Sequence, residues 1–254
     1  MKARRDILKG ASLLPLGAIL ANPALAKMVA DEVAIQSLTL PSGRTVKAAV
    51  ARPDSTMAPS VLLIHEWWGL NDQIKTVAAD FAKQGYLAVA VDLYSSKVGT
   101  TPDEAKQYMQ SVKADEATET LQGWAEWAKS QKETTDKLGT IGWCFGGGWS
   151  LNASIATPVD ATIIYYGNVA REAAALKALK GPVQGHFATK DKWINKEMVA
   201  GFKAEMQKAG QPAPETYWYE ADHAFANPSG GRFDAEDAQL AWRRSMDFFK
   251  AHLS

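Results

Sequence analysis

Cysteine is almost absent from this chain: Cys144 is the only one among 254 residues. That excludes an intramolecular disulfide. It also argues against a thiol redox protein, because no second cysteine is there to resolve an oxidised first. Net charge is absent as well, with 28 basic and 28 acidic residues. No basic patch points to nucleic acid or to an anionic membrane surface. Long hydrophobic runs are missing too. The apolar stretch at residues 11–20 is too short and too rich in small residues for a stable membrane span. No repeat, low-complexity tract or long linker interrupts the chain. At 46% apolar residues it can bury one sizeable core without a staple, and a monomer is expected.

What is present begins with an address. Ala3-Arg4-Arg5-Asp6-Ile7-Leu8-Lys9, the apolar run and Ala24-Leu25-Ala26 stand in the order of a twin-arginine signal peptide, read here in preference to a frayed basic terminus or a short anchor. Residues 1–26 are therefore expected to lie outside the fold, to engage the twin-arginine export machinery and to be removed, leaving a periplasmic domain over 27–254. That domain carries 24 basic and 27 acidic residues, a formal charge of about −3.

Along it, strand and helix patterns alternate. Residues 33–40 and 44–51 read as an antiparallel hairpin, 60–65 and 86–91 as strands, and 73–84 as an amphipathic helix. A long helical region follows from 101 to about 132, then a strand at 138–143 with a helix to about 156. Strands are expected at 161–166, 181–188 and 215–220, with helices at 192–209 and 234–253. This alternation predicts a mostly parallel α/β sheet covered on both faces, with ligands beyond the carboxyl ends of the strands.

The sharpest motif is Gly142-Trp143-Cys144-Phe145-Gly146-Gly147, which follows an apolar strand. It has the spacing of a nucleophile elbow, with cysteine at the apex. A strand turning sharply into a helix passes close to itself, so the positions two before and two after the apex must be small. The helix N-terminus beneath the apex is expected to favour a thiolate. A lone cysteine among glycines is otherwise a buried, inert residue, so the rest of the chain has to decide.

A cysteine nucleophile needs a base, and the base needs an orienting group. Four histidines are available. His252 lies near the C-terminus, His186 lies within a strand, and His65 ends one. His223 falls between the last strand and the last helix, where an α/β hydrolase carries its base. Asp191 follows a late strand and completes the order nucleophile, acid, histidine; the rival Asp222 adjoins His223 and suits a turn cap. Backbone N–H groups of Trp67 and Phe145 are candidates for an oxyanion hole. Glu66, enclosed beside the thiol, is a candidate to take its proton, with a surface salt bridge as the plainer alternative.

Together, His-Glu-Trp-Trp-Gly-Leu at 65–70, Val91-Asp92-Leu93-Tyr94, the elbow at 142–147, Asp191, His223-Ala224-Phe225 and Ala241-Trp242-Arg243-Arg244 resemble the dienelactone hydrolase family. The resemblance implies an α/β-hydrolase fold and a Cys144–His223–Asp191 triad. It implies an oxyanion hole at Trp67 and Phe145 and a thiol activated through Glu66. The implied reaction is hydrolysis of a small ester or enol-lactone through an acyl-thioester, without metal or organic cofactor. Two arginines that grip the substrate carboxylate in chlorocatechol-pathway members correspond here to Ser96 and Asn227. That removes bidentate recognition and leaves the substrate open, with Arg232 near in sequence. Trp68, Trp143, Trp193 and Phe225 suggest an apolar or aromatic pocket; aromatic residues also fill cores. A non-catalytic periplasmic binding protein keeping the hydrolase shell is the competing reading.

Overall fold

The computed structural model describes residues 14–254. The Arg4-Arg5 pair and the start of the apolar run lie outside the described residues. Eight strands form one sheet: β1 (Ala34–Thr39), β2 (Thr45–Ala51), β3 (Ala58–Ile64), β4 (Leu87–Val91), β5 (Thr134–Trp143), β6 (Ala161–Tyr165), β7 (Val183–Ala188) and β8 (Glu215–Tyr219). Their order is β1-β2-β4-β3-β5-β6-β7-β8. β1 and β2 form the antiparallel hairpin, and β2 also runs antiparallel to β4. Every pairing from β4 to β8 is parallel.

Both faces of the central strands are buried, which is why they read as continuous apolar runs. Val61 and Leu63 of β3 join Ile74, Val77 and Phe81 of α3 (Asp72–Lys83) and Phe248 and Phe249 of α9 (Ala235–Leu253) on one face. Leu62 and Ile64 point the other way, to Leu121, Trp124 and Ala125 of α5 (Ala114–Lys129). On that second face α6 (Phe145–Ala156) and α8 (Lys196–Lys208) cover the β6–β7 half through Leu151, Val199 and Phe202.

Several boundaries differ from the sequence reading. The long helical region at 101–132 is two helices, α4 (Pro102–Ser111) and α5. Val112 and Lys113 between them take extended backbone. The helix expected from 192 starts at Lys196, capped by the side chain of Asn195. A short helix α7 (Ala173–Leu176) carried no periodic signal.

In the full chain the N-terminal segment is packed as well: α1 (Leu16–Leu20) and α2 (Pro23–Ala30) lie against the domain. Ile19 is fully buried against Val29 and Ala79, and the buried Thr76 hydroxyl donates to the Ala26 carbonyl at 2.9 Å. A boundary at Ala26 thus falls inside a capped helix, with the Asn22 side chain accepting from Ala24 and Leu25 N–H. The reason is burial: α1 and α2 hide apolar side chains that α3 would otherwise expose. Among the described residues no helix is long and apolar enough to cross a membrane.

Candidate active site

β5 ends at Trp143 and α6 begins at Phe145, leaving Cys144 at the apex with φ 55° and ψ −116°. Such a conformation is costly for a residue with a Cβ and persists only where its surroundings hold it. They do so here. The Cys144 N–H donates to the Tyr165 carbonyl at 3.0 Å, and the Cys144 carbonyl accepts from Gly147 N–H at 3.0 Å. The steric demand on the flanking glycines is met literally. A Cβ on Gly142 would sit 2.0 Å from the Gly146 carbonyl oxygen, and one on Gly146 would sit 2.1 Å from that of Ile64.

The parallel register brings the carboxyl ends of β3, β5, β6, β7 and β8 to one edge, and the chemistry-bearing side chains converge there. His223 Nε2 lies 3.2 Å from Cys144 Sγ, and Nδ1 lies 2.6 Å from Asp191 Oδ2. The other Asp191 oxygen accepts from the N–H groups of Trp193 at 2.8 Å and Ile194 at 3.1 Å. An acceptor carboxylate at Nδ1 assigns the ring proton there and leaves Nε2 to face the sulfur. Burial works to raise the Asp191 carboxyl, but His223 and the two N–H groups outweigh it and hold it below its ordinary value. Asp222, the rival acid, is exposed. His186 is buried and occupied by Tyr219, Gln184 and Ser245.

The thiol does not rest as a thiolate. Burial, followed by the charge of Glu66, pushes Cys144 up to about 12; the N–H groups of Phe145 and Trp67 pull the other way and lose. The expected preference for thiolate at the helix N-terminus is therefore real in direction and overridden by desolvation.

Glu66 is buried and makes no hydrogen bond to the thiol among the described residues. Tyr166 Oη donates to Oε1 at 3.1 Å, and Asn227 Nδ2 donates to Oε2. Burial raises the carboxyl, partly offset by those two donors and by charge on His223 and Arg232. Asn227 thus stands against Glu66. Tyr166 had no sequence signal beyond its place at a strand end. The exposed Ser96 meets Lys47 at 3.4 Å, beside a cavity of about 430 Å³ that Lys47, Tyr94, Ser96, Lys97 and Tyr108 help to line.

The aromatics divide. Trp193 is 61% exposed, edge-on to the His223 ring at 5.2 Å, with the Arg232 guanidinium 5.7 Å from its ring centroid. Trp67 and Trp68 are half-buried and meet edge to face. Phe225 and Trp143 are corrections to the expected pocket. Phe225 is wholly buried against Tyr219, Tyr166 and Tyr165, and Trp143 packs on Tyr165, so both fill core. Among the described residues no group of three His, Cys, Asp or Glu side chains could hold a metal ion.

The dienelactone hydrolase family model matches residues 46–253. The chain is 28% identical over 236 residues to the carboxymethylenebutenolidase of Pseudomonas putida, covering 87% of this chain and 96% of that one. It is 29% identical over 225 residues to protein usf of Aquifex pyrophilus, covering 84% and 96%. A solved dienelactone hydrolase-like promiscuous phosphotriesterase from metagenomic libraries superposes with a TM-score of 0.78 at 19% identity, over 87% of this chain and 99% of that one. A thermophilic esterase of Thermogutta terrifontis gives 0.64 at 16%, over 87% and 95%; at such identities the likeness is one of fold. The sequence match over most of its length makes this chain a member of the dienelactone hydrolase family, a hydrolase within the α/β-hydrolase superfamily.

Proposed function

We propose that the protein hydrolyses small carboxylic esters or enol-lactones, with Cys144 as nucleophile, His223 as base and acid, and Asp191 orienting His223. The observation that carries this reading is the hydrogen-bonded chain Cys144 Sγ–His223–Asp191 at 3.2 and 2.6 Å. The thiol proton leaves as sulfur attacks the acyl carbon, and the carbonyl oxygen takes the developing charge toward Trp67 and Phe145 N–H. The tetrahedral adduct collapses to a thioester; the C–O bond breaks and the leaving oxygen takes a proton from His223. Water, deprotonated by His223, then attacks the thioester and returns the acid and the free thiol. Glu66 is the group we assign to take the thiol proton first when substrate binds and to pass it to His223 Nε2, which then gives it to the leaving oxygen, so that Glu66 is again a carboxylate before the next turnover; its buried carboxylate is among the charges that act on the thiol.

The test is turnover of small nitrophenyl esters and lactones by the wild type and by Cys144→Ala. Hydrolysis lost in the variant, with an acyl adduct trapped on Cys144 of the wild type, is expected. A Cys144→Ala protein that turns over at the wild-type rate would overturn the assignment. Residues 1–26 are proposed as a twin-arginine export signal of a monomeric periplasmic enzyme. Arg4→Lys with Arg5→Lys should retain the protein in the cytoplasm, and unchanged export would refute the signal.

A further inference from the structure

His65 directly follows β3, ahead of Glu66 and Trp67, and is fully buried. Its ring makes two hydrogen bonds, both to backbone. Nε2 lies 3.2 Å from the N–H of Leu93, which can only donate, so Nε2 accepts and the ring proton sits on Nδ1. Nδ1 then donates to the carbonyl of Glu66 at 2.6 Å. That carbonyl belongs to the same peptide unit as the Trp67 N–H. No cis peptide bond occurs among the described residues, and across a trans peptide C=O and N–H point in opposite directions. Gripping the Glu66 oxygen, which also accepts from Gly69 N–H at 3.2 Å, on one side therefore turns the Trp67 N–H to the other, from which it favours a thiolate at Cys144. The Tyr94 ring packs edge-on at 4.6 Å and Phe145 stacks at 5.9 Å, so the imidazole is held between aromatic rings as well as by its two hydrogen bonds.

We propose that His65 is a positioning residue for the oxyanion hole: its Nδ1–H, braced by Leu93 N–H at Nε2, sets the Glu66–Trp67 peptide so that Trp67 N–H faces the reacting sulfur and carbonyl. The inference rests on the hydrolase reading above and adds a residue that does not touch substrate. It requires a neutral ring, and burial keeps His65 below its ordinary value in that form. It also couples the β4 loop to the hole, because the brace at Nε2 comes from the residue after Asp92.

The experiment compares His65→Gln, whose amide can donate to the Glu66 carbonyl and accept from Leu93, with His65→Leu, which can do neither. Two readouts are taken: kcat and KM on nitrophenyl esters, and the pH profile of Cys144 alkylation by iodoacetamide, which needs no turnover. His65→Leu should lower kcat about ten-fold or more with KM within about two-fold, and move the alkylation profile to higher pH as the sulfur loses a donor. His65→Gln should restore both. Should the leucine variant not fold, His65→Asn carries the same groups on a shorter stem that cannot span both partners, and it should behave as leucine was expected to. An unchanged kcat in the variant lacking both bonds overturns the proposal, as does a glutamine variant no better than leucine or asparagine. A wild type without ester turnover but with a His65-dependent alkylation profile would refute the hydrolase reading alone.

Discussion

A thiol held up at about 12 is almost wholly protonated near neutral pH, so Cys144 stays quiet until a neighbour removes its proton. Glu66 acts on that thiol in two opposed ways. Its charge, second only to burial, holds the thiol proton on, yet in the reading proposed above it is the group that takes that proton. Glu66→Gln separates the two effects. Ester hydrolysis is expected to fall by about 10²–10⁴-fold in kcat/KM, the range of a lost proton acceptor. Alkylation of resting Cys144 by iodoacetamide at a fixed pH should instead become faster, because a raising charge is gone. Parallel changes in the two rates would remove Glu66 from thiol activation. The elbow and the Cys144…Asp191…His223 order were legible in sequence because each is a spacing rule. Asn227 as partner of Glu66 was not, because that contact joins residues 161 apart in the chain.

Among elements, the β5–α6 elbow is the one with least tolerance. Six non-glycine residues among those described have positive φ, and five of them, Ser95, Ser96, Cys144, Tyr166 and Ala224, lie in the loops after β4, β5, β6 and β8. Strain concentrated at one edge of a sheet marks where the backbone is bent for placement of groups rather than for packing. Gly146→Ala is expected to be severe, since its Cβ would meet the Ile64 and His65 carbonyl oxygens at 2.1 and 2.4 Å, both of them backbone. β3 and α6 must part to admit it. We expect a loss of about 3 kcal/mol or more, the scale of the larger overpacking and strain effects, read as a fall in the urea midpoint; a midpoint within error of wild type would mean that the elbow relaxes freely. Sequence reading found this element but misjudged α4 and α5. A continuous helical pattern does not reveal that Val112 and Lys113 turn the chain between two packed faces.

For the whole molecule, the histidines inside the core contribute to acid stability. His186 is held at about 3, against an ordinary value of 6.5, first by burial and then by the charge of Arg244. Between those values the unfolded chain binds a proton that the native state refuses. Stability from this group is therefore complete above pH 6.5 and is lost as pH falls toward 3, by at most about 1.4 kcal/mol per pH unit. His65, also lowered by burial, adds to the same slope. Glu66, raised by burial, opposes it just above the ordinary carboxylate range. Urea midpoints should hold level from pH 8 to 7 and drop between 6.5 and 4.5; a flat profile across that window would show that the buried rings pick up protons without unfolding.

The sequence by itself determined the alternation of strands and helices, the elbow and the family, because these rest on periodicity and on short motifs whose sterics are local. Tertiary structure alone decided what depends on contacts between distant segments. It set the resting protonation of Cys144, since burial is a property of everything packed around the sulfur. It sent Phe225 and Trp143 into the core and left Trp193 at the mouth of the site. It also docked α1 and α2 against α3, where Ile19 and Ala26 are buried by neighbours that no local pattern in the first 30 residues could reveal.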